Sequence, residues 1–416
     1  MVRLWPIKFE KIVSSGRALG KNCGKVVFCY GVLPGEVAEV KFVREKKDYI
    51  EAELVNVIEP SRFRILPKES HYLSCSPWQT IDYKYQIRLK ADIIEEGIFQ
   101  TVRKDIKLDS FYKAYNIYGY RTKIEYRLEN TCSKLKYAFY KRGTKDLVLL
   151  ENGCKLVDDK VNYIAYSFLD YLNSLDVGKE ALEKIVFRKS TNGQVLGIIY
   201  LKNKIDIDIV MVPEIEDLAG LIVIADNNKK VYGRDFIEQD LLGTKIKYGY
   251  DCFFQNNIEL FSKALEIVRN EINNVGKIVD LYSGVGSIGL SLRDSASKVY
   301  LVESFKNSYL YSVKNIRSLN ANNVISIFSS SERVSEDILK ESDVVILDPP
   351  RDGIKKIVLD KLLKILPEKI VYLSCNPVTL GRDLSFLLKK YSLKKIYGFD
   401  FFPNTVHAEV LAFLEK

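Results

Sequence analysis

Within the first sixty residues, Lys8–Ser14 and Gly24–Tyr30 read as strands, and Glu36–Val43 and Tyr49–Ile58 alternate apolar with polar positions. A period of two puts one face in a core and the other in water, which is the pattern of half-buried strands. Pro34-Gly35 marks a turn, and Gly16, Gly20, Gly24, Gly31 and Gly35 supply tight corners. Five short strands in so little chain imply a small closed barrel of the OB type. Pro60-Ser61 marks its end, so the first unit is expected over residues 1–60.

The pattern then changes twice. After a loop-rich stretch, Tyr83, Ile87, Leu89 and Ile93-Ile94 recur at helical spacing. Strand signals follow at Tyr120–Arg127, Lys136–Tyr140, Gln194–Leu201 and Asp206–Val212, interrupted by a helix pattern over Val161–Leu175. This predicts a central α+β region over 61–250. From 251 to 416 strands and helices alternate. A helix stripe at Phe261, Leu265, Val268 and Ile272 precedes strands at Ile278–Tyr282, Lys298–Val302, Val324–Phe328, Asp343–Leu347 and Ile370–Leu373. That alternation is the signature of a doubly wound parallel α/β sheet. The last two strands, near Leu393–Phe399 and Val406–Leu414, have no helix between them and are expected to form an antiparallel edge.

Charge adds a direction. Residues 1–150 carry 28 Lys+Arg against 18 Asp+Glu, while the remainder carries 35 against 36. The net charge of +9 therefore sits at the N-terminal end, which suits a polyanionic partner. No apolar run is long enough for a membrane span, and Met1–Pro6 lacks a secretory leader's apolar core. A cytoplasmic protein is expected. Seven scattered cysteines argue against a disulfide framework.

Three segments carry candidate chemistry. Asp280-Leu281-Tyr282-Ser283-Gly284-Val285-Gly286 follows a strand and opens a helix, and Glu303 ends the next strand. Glycines let the backbone approach a ligand, and a carboxylate at that place can accept both ribose hydroxyls. The expectation is S-adenosylmethionine rather than NAD, on the reading that the dinucleotide glycine fingerprint is incomplete. Asp348-Pro349-Pro350-Arg351 then forms a rigid rim where ligands bind. Finally Cys375, in Leu373-Ser374-Cys375-Asn376-Pro377, stands at a strand end, and Glu409 follows in the next strand-like segment. A thiolate adding to C6 of uracil makes C5 carbanion-like, able to accept an electrophilic methyl; a base must then remove the C5 proton. Cys375 and Glu409 suit those two roles. A helix starting near Pro377 is expected to favour the thiolate. His407 reads as an ordinary strand residue.

Leu373–Leu384 and Asp400–Glu409 resemble the catalytic-cysteine and base signatures of the RNA uracil-5-methyltransferase family. Gly16-Arg17-Ala18-Leu19-Gly20 and Leu33-Pro34-Gly35-Glu36 are similar to the TRAM barrel that many of its members carry. The resemblance implies an OB-type TRAM barrel, a central α+β RNA-binding domain and a Rossmann-like class I methyltransferase domain that makes 5-methyluridine. It implies Cys375 as nucleophile and Glu409 as base. Gln255, Tyr282, Glu303 and Asp348 would hold S-adenosylmethionine, with Gly284 in the loop; Ser287 stands where some members place an asparagine. Because TRAM-bearing members resemble ribosomal-RNA enzymes, large-subunit ribosomal RNA is favoured over the transfer RNA T-loop, acted on by a monomer. A non-catalytic RNA-binding protein or chaperone with a dead methyltransferase domain is the alternative of another class. DNA cytosine-5 methylation is disfavoured, since the Pro-Cys pair it uses is missing.

One departure stands out. Many members hold a [4Fe–4S] cluster through four cysteines, but here only Cys75 and Cys154 match. Two thiolates cannot satisfy such a cluster, so neither a cluster nor another metal is expected, and the remaining cysteines are read as packing residues. Tyr118, Tyr120, Arg121, Lys123, Tyr126 and Arg127 form a basic-aromatic stretch that could stack bases or be an alternating strand with one solvated face.

Overall fold

A computed structural model describes residues 3–132, 134–175, 180–202, 214–226 and 228–416. Strands β1 (Leu4–Ile12), β2 (Ala18–Asn22), β3 (Lys25–Cys29), β4 (Val37–Glu45) and β5 (Tyr49–Glu59) close into a barrel in the order β1-β2-β3-β5-β4. Ile7, Phe9, Val27, Ala38, Val40 and Ile50 fill it. β2 reads Ala-Leu-Gly-Lys-Asn, too polar to announce itself. Its Gly20 lies against β1, where a Cβ would come within 2.7 Å of Ile7 Cγ2 and Lys8 O. Glu36 is fully buried and accepts from the backbone of Leu33 (2.8 Å) and Ser61 (3.0 Å) and from Arg64 (2.6 Å). That network ties the barrel to the chain that leaves it.

A short helix α1 (Tyr72–Cys75) leads to α2 (Tyr83–Val102). The Asp82 carboxylate caps α2 by accepting from Tyr85 N, and Arg103 ends it in the left-handed region. After β6 (Ser110–Tyr112) come β7 (Lys123–Thr131), β8 (Lys134–Tyr140), β9 (Leu147–Leu149), α3 (Asp159–Ser174), β10 (Leu182–Lys189), β11 (Val195–Leu201), β12 (Leu218–Ala225) and β13 (Asn228–Gly233). Among the described residues these strands form one sheet in the order β13-β12-β11-β10-β7-β8-β9. Ile164, Phe168 and Leu172 of α3 share its core with Tyr126, Tyr137 and Phe187. The strand expected at Asp206–Val212 lies outside the described residues.

A hairpin, β14 (Phe236–Leu241) and β15 (Thr244–Gly249), precedes α4 (Ile258–Glu271). Then follow β16 (Val275–Leu281), α5 (Ser287–Ser291), β17 (Ala296–Glu303), α6 (Lys306–Ser318), β18 (Val324–Phe328), α7 (Glu336–Leu339), β19 (Val344–Leu347), α8 (Lys356–Ile365), β20 (Lys369–Ser374), α9 (Pro377–Leu387), β21 (Ser392–Phe399) and β22 (Glu409–Glu415). The sheet order is β18-β17-β16-β19-β20-β22-β21-β6. β16 to β20 run parallel, and the order reverses between β16 and β19, which opens a crevice at their carboxyl ends.

Two expectations need correcting here. β21 and β22 pair antiparallel, as expected, but they do not form the edge: β22 lies between β20 and β21, and β6 adds in parallel beyond β21. β22 also starts at Glu409, because residues 400–408 form a loop held by side-chain hydrogen bonds instead of a ladder. The hairpin before residue 250 docks on α6. Asn315 of α6 accepts from Lys247 N at 2.9 Å and donates to Lys247 O at 2.8 Å.

Candidate active site

The register of two strands brings the thiol and the late carboxylate together. β20 pairs with β22 up to Ser374 opposite Val410. Continuing that antiparallel register by one residue sets Cys375 opposite Glu409. On the thiol side, Asn376 caps α9, its Oδ1 accepting from Val378 N at 3.1 Å, with Pro377 at the first helical position. Asn376 Nδ2 and Thr379 Oγ1 both donate to Arg351 O at 3.1 Å, which fastens the Asp348–Arg351 rim beside Cys375. Asp383, buried in α9, holds the far end of that rim by accepting from Ile354 N (2.8 Å) and Tyr372 Oη (2.7 Å).

On the carboxylate side, α2 grips the loop before Glu409. Gln86 Nε2 donates to Asn404 Oδ1, and Gln86 Oε1 accepts from Asn404 N, both at 3.0 Å. Lys90 and Asp400 form a fully buried ion pair, completed by Lys90 to Phe402 O (3.0 Å) and Tyr83 Oη to Asp400 (2.9 Å). Sequence reasoning missed this clamp, because a single lysine on a helical stripe carries no signal of its partner 310 residues away.

Between these supports lies a cavity of about 370 Å³, lined by Cys375, Asn376, Arg351, Lys90, His407 and, from the barrel, Ser14 and Ser15. Gly16, in the β1–β2 turn, packs on Val406, where a Cβ would come within 3.1 Å. The barrel therefore contributes directly to the wall of this cavity. Glu409 is buried, and its Oε2 has no hydrogen-bond partner.

Burial and like charge decide the protonation states. Desolvation, helped by Glu409 and Asp348, pushes the Cys375 thiol up to about 12, with Arg351 opposing. The helix start at Pro377 does not overcome this, so the expected thiolate is not the resting form. Burial and then Asp348 push Glu409 well above the ordinary carboxylate range. His407 moves the other way, down to about 4, through burial and the nearby charges of Arg351, Arg142, Lys90 and Arg121. It is a neutral imidazole in the loop before β22, not a strand residue.

The glycine turn sits at the sheet's switch point. Tyr282, the first residue after β16, has φ +62°, an uncommon conformation for a bulky side chain that marks local strain. Gly284 and Gly286 also take positive φ. Gly284 N donates to Glu303 Oε2 at 2.8 Å, so the two sequence-predicted elements do meet. A Cβ on Gly284 would find open space, and Asp280 Oδ1 and Ser283 Oγ are buried without partners. A polar ligand beside the turn fits those orphaned atoms. Desolvation raises Asp280 to about 8 and Asp348 to about 7. Asp348 is close enough to influence Asp280 on one side and Cys375 and Glu409 on the other, which joins the turn to the thiol cavity. Ser287 opens the short α5, and Gln255 is buried on a separate segment between β15 and α4. The expectation about the glycine spacing needs correcting: Gly284, Gly286 and Gly289 complete G-x-G-x-x-G, so the spacing alone does not set S-adenosylmethionine against NAD.

The basic-aromatic stretch divides by strand face. Tyr126 is fully buried, stacked on Tyr137 with ring centres 4.2 Å apart, so it cannot stack a base. Arg121, Lys123 and Arg127 instead line a second cavity of about 430 Å³ with Cys75 and Cys154 at its wall. The cysteines divide as well. Cys29, Cys154 and Cys252 are buried, but Cys23 and Cys132 are exposed in turns, so packing does not explain those two.

A twisted sheet of this order, with a glycine turn at its switch point and a paired thiol and acid beyond it, is that of an α/β methyltransferase. Residues 82–416 match the model of the tRNA (uracil-5-)-methyltransferase family, and the chain belongs to that family. Its methyl donor is S-adenosylmethionine. An RNA methyltransferase of Prochlorococcus marinus is 30% identical over 92% of this chain and 99% of its own length. One from Caldanaerobacter subterraneus is 29% identical over 99% and 98%. The crystal structure of Pyrococcus abyssi tRNA (uracil-54, C5)-methyltransferase, in complex with S-adenosyl-L-homocysteine, matches with a TM-score of 0.78 over 99% of this chain and 100% of that one, at 22% identity. No described helix is long and apolar enough to cross a membrane.

Proposed function

We propose that this enzyme methylates C5 of a uridine in RNA, with Cys375 as the nucleophile and Glu409 as the base. The observation that carries the reading is the β20–β22 register, which ends at Ser374 opposite Val410 and, carried on by one residue, sets Cys375 at the cavity wall opposite the buried Glu409, with the charge of Asp348 acting on both. The Cys375 thiolate bonds to C6 of the uracil, and the electron pair moves to make C5 nucleophilic. Gln255, Tyr282, Gly284, Ser287, Glu303 and Asp348 would hold the donor, which would supply the electrophilic methyl. After C5 takes the methyl, Glu409 removes its proton; the C5–C6 double bond re-forms and the thiolate leaves. Arg351 and His407 line the cavity beside Cys375, and the target uridine must be unpaired to enter it, since a C5 atom inside a helix is out of reach.

Two RNA classes are in play, each with an observation behind it. The barrel against the cavity carries the expectation of large-subunit ribosomal RNA. The Pyrococcus abyssi enzyme, named for transfer RNA, matches 99% of this chain, so the match takes in the barrel and supports a transfer RNA target. The experiment is labelled methyl transfer to total RNA from a strain lacking the gene, followed by mapping of 5-methyluridine. Label in RNA at C5 of uridine is expected. RNA that binds without acquiring label would replace this reading with a non-catalytic RNA-binding protein.

A further inference from the structure

The cysteines that sequence reasoning left as packing residues meet other donors. Glu69, His71, Cys75 and Cys154 bring one ligand atom each to within 4.8 Å of one another. Two thiolates, an imidazole and a carboxylate are not the four-cysteine set of a [4Fe–4S] cluster. They are a complete set for a single tetrahedral ion. We propose that Glu69, His71, Cys75 and Cys154 bind one zinc ion that staples the segment between the barrel and α2 to the central sheet.

The dimensions agree with that occupant. Ligand distances of 2.0–2.3 Å around tetrahedral zinc separate neighbouring donors by about 3.3–3.8 Å. His71 Nε2 already lies 3.3 Å from Glu69 Oε1. No pair of the four ligand atoms is more than 4.8 Å apart, so the widest gap exceeds the tetrahedral spacing by at most about 1.5 Å. Burial agrees too. The Glu69 and His71 side chains are 6% exposed and Cys154 is 1% exposed, while His71 Nε2 makes no well-formed hydrogen bond. Buried polar atoms of this kind need a partner, and a cation satisfies all four donors at once.

A supporting shell is also present. Gln79 Nε2 donates to Glu69 Oε2 (2.5 Å) and to Ser76 Oγ (2.6 Å), and Ser76 Oγ sits 2.9 Å from Cys75 Sγ. Lys155 N donates to Glu69 Oε1 at 2.6 Å. Asn162 brackets Cys154, accepting from its N–H (3.0 Å) and donating to its carbonyl (3.1 Å). Such contacts orient ligands before an ion arrives. Three donors come from one seven-residue stretch, Glu69-x-His71-x-x-x-Cys75, and the fourth from the loop between β9 and α3. The zinc would thus join two distant parts of the chain at the wall of the basic cavity that holds Arg121, Lys123 and Arg127. This ion plays no part in methyl transfer, so the proposal stands apart from the active-site reading.

The test is elemental analysis of the full-length protein purified under reductant without added metal. About one zinc per chain is expected, with loss of that zinc in Cys154→Ser and in Cys75→Ser. Replacement by cobalt should give visible ligand-field bands and thiolate-to-cobalt charge transfer, both missing in the serine variants. Gln79→Ala, which keeps all four ligands, should fold and bind zinc about 10–100-fold more weakly in chelator competition. Three results would each overturn the proposal. One is a metal-free protein with free thiols that takes up neither zinc nor cobalt. The second is a Cys75–Cys154 disulfide in place of metal. The third is a brown protein containing iron and inorganic sulfide.

Discussion

The chain has only two histidines, and each stands beside a cysteine and a glutamate, yet the two groups are built for opposite ends. Around Cys375 the thiol and Glu409 come from two neighbouring strands, and the thiol faces an open cavity walled partly by the barrel. Around Cys75 the donors converge, and Glu69 is already engaged by Gln79 and a backbone N–H. The first group leaves Glu409 Oε2 without a hydrogen-bond partner; the second surrounds its carboxylate with donors. Residue type alone does not separate reactive from structural chemistry. What separates them is whether the groups border an open cavity or converge on a single point.

The largest effect should come from breaking the open group. Cys375→Ala is expected to lower methyl transfer by at least about four orders of magnitude while RNA binding persists, read by labelled transfer and filter binding side by side. Cys75→Ser should leave far more activity than that; equal losses at the two thiols would erase the distinction. Glu409→Gln should slow turnover about 10²–10⁴-fold and accumulate a protein–RNA adduct, visible as a shifted band on a denaturing gel. A slow variant without adduct would move the base elsewhere.

Lys90→Met isolates the clamp, leaving Asp400 buried without its partner. A destabilisation of about 3–5 kcal/mol is expected in denaturant melts. A loss under about 1 kcal/mol would show that the pair does not organise the loop before Glu409. The smallest effect is the pH response. Cys375 is an acid held up to about 12, so its thiolate is scarce near neutrality and grows as pH rises; Glu409 is shifted upward in the same direction. Single-turnover rates should climb by about tenfold per pH unit between pH 6 and 8. A flat profile would mean that bound substrate or donor restores the thiolate before the chemical step.

Much of this was legible in the chain because local chemistry and fold agree. β16 announces itself as a buried apolar strand, and the glycines after it require the turn they form. Cys375 and Glu409 were visible because each sits in a distinctive run at a strand end. What stayed hidden depends on partners far away in sequence. β2 is strand only because Gly20 fits under β1. The Lys90–Asp400 pair and the Cys75–Cys154 convergence exist only once the chain is folded. Tyr126 looked like a stacking platform because sequence alternation shows two faces without saying which one is covered.

The three-residue β6 has a practical consequence. It covers the outer side of β21, although it lies about 280 residues earlier in the chain. A fragment starting near residue 250 would expose an uncapped row of amide and carbonyl groups along β21, the kind of raw border on which copies stick together. The catalytic sheet is therefore expected to be soluble only when expressed with the segment that carries Ser110–Tyr112, and attempts to harvest it alone should yield inclusion bodies.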